Sequence, residues 1–94
     1  MEMPKVKKCE VNDCAYNEDK CCHAIAITIG DSENPICDTF CKSSMKGGEI
    51  ELVAGVGACK VSSCKYNNNL ECGAPSISVG YKKREPDCLT FHSR

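Results

Sequence analysis

Two stretches decide how the whole chain is read: residues 9–30, CEVNDCAYNEDKCCHAIAITIG, and residues 59–80, CKVSSCKYNNNLECGAPSISVG. At an offset of 50, Cys9, Cys14 and Cys22 coincide with Cys59, Cys64 and Cys72. Val11/Val61, Tyr16/Tyr66, Asn17/Asn67, Ala24/Ala74, Ile27/Ile77 and Gly30/Gly80 coincide as well. One residue further on, Cys37-Asp-Thr-Phe40 matches Cys88-Leu-Thr-Phe91. Twelve identities over two segments of this length mark a duplication, and internal repetition outranks any local signal.

Composition explains what the repeat must supply. Ten of the 94 residues are cysteine, there is no Trp, and only 20 are Val, Ile, Leu, Met or Phe. A chain this short buries only roughly 60–65% of its unfolded surface. It therefore needs staples in addition to a core. No stretch reaches the roughly 20 apolar residues of a membrane span. Met1–Lys8 has no apolar run of the kind an export signal carries. A cysteine-dense chain without export is expected in the cytoplasm, with its thiols reduced and available to metal; a spore-associated location is the alternative. The net charge of −1 favours neither nucleic acid nor membrane.

Four cysteines recur per copy: Cys9, Cys14, Cys22 and Cys37, then Cys59, Cys64, Cys72 and Cys88. Four thiolates make a tetrahedral zinc site, and two copies call for two zinc ions per chain. The C-x4-C spacing is wider than the usual two-residue knuckle. Two disulfides per copy, or iron on the same soft ligands, are the competing uses. Loading eight thiolates with two zinc ions would take the net charge from −1 to about −5, further from any nucleic acid. Lys82-Lys83-Arg84 reads as a solvated hairpin turn, and Lys5, Lys7 and Lys8 as solvated surface.

Cys21 and Cys41 stand outside the repeat, where the second copy has Glu71 and His92. A redox pair is one reading of them; an exchangeable ligand at Cys41 and His92 is another. His23 reads as a surface histidine. Tyr16 and Tyr66 are expected against the thiols, Asn17 and Asn67 in turns, and Phe40 and Phe91 as core anchors. No hydroxyl lies in a nucleophile arrangement, so no enzyme is expected.

Alternation predicts strands at 23–29, with Ile25, Ile27 and Ile29 on one face, and at 49–56, with Ile50, Leu52, Ala54 and Val56 on one face. A return strand is expected at about Ile36–Cys41 after a turn at Asp31–Pro35, and a second hairpin at Ser76–Tyr81 with Asp87–His92. A leading strand before each first cysteine gives each copy a three-stranded sheet. The fold class is a small metal-stapled β-rich protein: two tandem Cys-rich hairpin and zinc-knuckle repeats in pseudo-two-fold relation, with little or no helix. Its divisions are a first repeat at 1–41, a linker at 42–48 with Gly47-Gly48 as hinge, and a second repeat at 49–94.

The pattern C-x-V-x-x-C-x-Y-N, a later C-x-A-x-x-I, and a closing C-x-T-F resembles the bacterial family called domain of unknown function 1540. The resemblance spans roughly residues 4–41 and 54–92 and covers all eight repeated cysteines. It implies a small module, often in tandem, found in spore-forming Firmicutes and presumed metal-binding; Cys21, Cys41 and His92 depart from it. The function expected is metal binding in a structural or interaction role. A thiol redox or metal sensor using Cys21 and Cys41, a disulfide-bonded spore-coat or surface component, and a nucleic-acid-binding zinc ribbon are the alternatives. A protein partner is compatible with this reading; neither the partner nor the oligomeric state is written in the sequence.

Overall fold

Two short strands with one interruption each organise the computed structural model, which describes residues 3–30, 34–49 and 51–93. In β1 (Lys5–Cys9), Val6 and Cys9 are both buried although they stand three positions apart. Strict alternation would send them to opposite faces. The register slips between Val6 and Lys8, and this bulge turns Cys9 back inward. β5 (Gly55–Cys59) repeats the device: Val56 and Cys59 are buried, with the slip of its neighbour's register at the corresponding place.

The remaining long strands are β4 (Ala26–Ile29), β8 (Ser76–Lys82) and β9 (Glu85–Cys88). They form one five-stranded sheet in the order β4-β5-β1-β8-β9. Two-residue hairpins complete the secondary structure: β2 (Asn17–Glu18) with β3 (Cys21–Cys22), and β6 (Asn67–Asn68) with β7 (Glu71–Cys72). No helix occurs among the described residues.

The leading strands do not join their own copies, which corrects the expected three-stranded sheets. β1 runs parallel to β8 of the second copy, and β5 runs parallel to β4 of the first. The two leading strands meet each other antiparallel at Lys5 and Gly55. Bridges Ile29–Cys37 and Ile36–Asp87 then link β4 to β9 through residues 36–37, so the sheet closes on itself. Closure leaves few unpaired edges.

Val6, Ile27, Val56 and Ile77 are each no more than 2% exposed and fill the inside. Val11, Ile29, Val61 and Val79 extend this core towards the cysteines. Other expectations are corrected here. Ile25 is 75% exposed and Leu52 45%, because the chain bends before Ala26 and before Gly55 and neither residue joins a strand. Ile50 and residues 31–33 of the expected Asp31–Pro35 turn lie outside the described residues. The return strand at 36–41 shrinks to the two bridges, and the second hairpin returns at 85–88 instead of 87–92.

Candidate metal centre

Each quartet of repeated cysteines is built by the same backbone devices. The Cys9 N–H donates to the Lys20 carbonyl at 2.8 Å, and the Cys59 N–H to Leu70 at 2.8 Å. The loop to the second cysteine is a tight turn, with Cys14 N–H on the Val11 carbonyl and Cys64 N–H on that of Val61, both at 3.1 Å. Asp19 and Lys20 have φ of 53° and 63°, and Asn69 and Leu70 have 53° and 67°. Two successive positive φ values make the primed turn that closes a two-residue hairpin, here placing Cys22 opposite Asn17 and Cys72 opposite Asn67.

Asn17 is the residue that sequence reasoning undervalued. Its side chain is buried, and Nδ2 donates to the Cys9 carbonyl at 2.7 Å. Its own N–H donates to the Cys14 carbonyl at 3.0 Å, and it pairs with Cys22. One residue thus fixes three cysteine positions, and Asn67 does the same for Cys59, Cys64 and Cys72. The identity Asn17/Asn67 was the available signal. The left-handed turn residues come later, at Asn69 and Leu70.

The fourth cysteine enters from the C-x-T-F segment. The hydroxyls of Thr39 and Thr90 accept from the N–H groups of Thr28 and Ser78, tying each segment to its hairpin strand. Cys9, Cys14, Cys22 and Cys37 then line one cavity with Tyr16 and Phe40. Cys59, Cys64, Cys72 and Cys88 line another with Tyr66 and Phe91. The free volumes are about 10 Å³ and about 20 Å³, room for about one water-sized sphere each. Neither lining contains a carboxylate or an imidazole.

Electrostatics explain what such a quartet lacks. Burial pushes the Cys37 thiol up to about 12 and the Cys88 thiol up to about 11. Burial also raises Cys22 and Cys72. Neighbouring cysteines add to every one of these shifts, which places their charges within reach of one another. Backbone N–H groups two residues on, at Ala24, Thr39, Ala74 and Thr90, oppose the shift by hydrogen bonding to the sulfurs. Donors aimed at sulfur favour thiolate, while the closed surroundings disfavour it unless a counter-charge arrives.

All ten cysteines are free thiols. Among the described residues, no three His, Cys, Asp or Glu side chains already stand in an arrangement that would hold a metal ion. Each quartet therefore shares a cavity, not a finished coordination shell. The donor chemistry, four soft sulfurs with no oxygen competitor, fits zinc or iron.

Cys21, half-buried, and Cys41, exposed, line neither cavity. His92 is exposed and also lies outside both. His23 Nδ1 lies 2.8 Å from the Leu52 carbonyl and can donate to it. No helix among the described residues is long and apolar enough to cross a membrane.

This is a two-copy, cysteine-rich β protein whose repeated thiols gather by fours. The chain belongs to the family described as Domain of Unknown Function (DUF1540), whose signature matches residues 8–43 and 58–91 and so accounts for two tandem copies. Comparison with curated proteins and with solved structures gave no match.

Proposed function

We propose that the protein is a non-catalytic metal-binding module that holds two zinc ions, one per copy, in a structural or interaction role. Cys9, Cys14, Cys22 and Cys37 are the ligands of the first, and Cys59, Cys64, Cys72 and Cys88 of the second. The observation that carries this reading is the gathering of four free cysteines around each small cavity, all buried except the half-buried Cys88, with no carboxylate or imidazole in the lining. When bound, zinc would supply the positive charge that lets buried thiolates form. The residues' own part is to present sulfur: Asn17 and Asn67 hold the knuckles, and the amides after Cys22, Cys37, Cys72 and Cys88 point at sulfur.

Elemental analysis of the chain purified under reducing conditions tests the proposal. Two zinc ions per chain are expected, with loss of dispersed NMR signals on chelation. Metal-free protein that keeps its dispersion and contains five disulfides would replace this reading with that of a disulfide-bonded surface component. A second reading has its own support: Cys21 and Cys41 lie outside both cavities and Cys41 is exposed, as a thiol sensor in the same module requires. Neither reading calls on nucleic acid or membrane, and a reducing cytoplasm suits both.

A further inference from the structure

Neither cavity is complete within its own copy. The first takes Val79 and Pro86 from the second copy as wall, and the second takes Ile29 and Pro35 from the first. The fourth cysteines are held across the same divide. Cys37 N–H donates to the Pro86 carbonyl at 2.6 Å, and Cys88 N–H donates to the Pro35 carbonyl at 2.7 Å. Between these bonds, Ile36 and Asp87 pair as a bridge. The first cysteines show the same exchange: Cys9 lies in register with Val79, and Cys59 with Ile29.

We propose that the two cavities bind metal with positive coupling. The proposal rests on the tetrathiolate reading and adds its regulation. Drawing the first quartet around an ion fixes Cys37. That residue is bonded to Pro86, two positions before Cys88, and its neighbour Ile36 is paired with Asp87. The second ion therefore meets a cavity whose wall and fourth ligand are already ordered, and less conformational entropy is lost on binding it. The mirrored bonds make the effect reciprocal, as linkage requires. Repulsion between two dianionic cages acts in the opposite direction, so the sign of the coupling decides which effect is larger.

Native mass spectrometry on the reduced, metal-free full chain, equilibrated with one equivalent of zinc per chain, reads that sign. Independent sites of equal affinity, as two matching cysteine quartets imply, give a one-zinc species of about one half of the population. Coupling of about tenfold, within the usual allosteric range, lowers it to about one quarter in favour of the empty and two-zinc species. A one-zinc share of one half or more overturns the coupling and leaves the zinc reading standing. Failure to bind zinc at any loading overturns both. Cys88→Ser is expected to weaken zinc at the first cavity about tenfold in competition with a chelator, while Cys41→Ser, outside both cavities, leaves it unchanged. Unaltered first-cavity affinity in Cys88→Ser also overturns the coupling. The wild-type distribution decides the matter even where Cys88→Ser does not fold.

Discussion

The two copies spend the same cysteines on the same cavity but reach the fourth one by different routes. In the second copy, β8 runs seven residues to Lys82, turns at Lys83 and Arg84 with φ of 53° and 67°, and returns as β9 to Cys88. In the first copy, β4 stops at Ile29, Gly30 takes φ of +94°, and the return is only the bridges at Ile36 and Cys37. What stays equal is local to sulfur: the Asn clamp, the primed turn, the threonine tie and the proline carbonyl. The connecting hairpin is free to vary because the other copy, not the hairpin alone, locates the last cysteine.

The strongest way to break this equivalence is to remove one repeated cysteine from each copy, which also tests the proposed zinc sites. Cys22→Ser and Cys72→Ser should each lose one zinc per chain by elemental analysis. Each should also cost several kcal/mol, since structural zinc contributes on the order of 10–16 kcal/mol in small peptides. Unchanged stoichiometry in either variant would remove its cavity from the proposal. Next come Ile27→Ala and Ile77→Ala, both about 2–5 kcal/mol destabilising in chemical denaturation of the zinc-loaded chain. The two should agree within about 1 kcal/mol, because they are equally buried beside strands paired in the same way.

The glycines separate the copies. At Gly30 a new Cβ would run into Val61 Cγ2 in a left-handed backbone. At Gly80 it would meet the flexible end of Leu89 at 2.8 Å, in a strand. Thermal melts should show Gly30→Ala costing about 2 kcal/mol and Gly80→Ala less than about 1 kcal/mol. Equal costs would mean that the two returns differ less than the backbone does.

The smallest effect falls on Asp87, which occupies the position of Ile36. Its Oδ1 is buried without a hydrogen-bond partner. Burial, the hydrogen bond with Glu85 and that residue's charge raise its pKa to about 6, partly countered by Lys82. A raised acid is tolerated in its neutral form. This contribution to stability is therefore complete below the unfolded value near 3.8 and is lost as pH rises through about 6. Asp87→Asn should stabilise the chain by about 1 kcal/mol at pH 7 and flatten its urea stability between about pH 4 and 6.

The repeat, the eight paired cysteines and the Lys82–Arg84 turn were legible in sequence, because each shows directly in residue identities or in a local run of turn residues. Tyr16 and Tyr66 were rightly placed against the thiols. The partner of each leading strand was not legible. Val6 can pack equally well beside Ile27 or Ile77, and nothing in either copy's pattern distinguishes its own hairpin from its twin's. Ile25 and Leu52 misled for a related reason: alternation continues past the point where a strand loses its neighbour. Asn17 was visible as an identity, but its hydrogen bond to the Cys9 carbonyl, eight residues back, is a tertiary fact.

The exchanged leading strands change what the linker at 42–48 does. A single scission there would divide the sequence into its two copies and leave the molecule in one piece, since β1 would still lie beside β8 and β5 beside β4. The covalent joint contributes proximity, an effective concentration of about millimolar order for a short tether, more than it contributes contact. Two separately made halves should therefore complement one another, each finding in the other the strand that its own hairpin lacks.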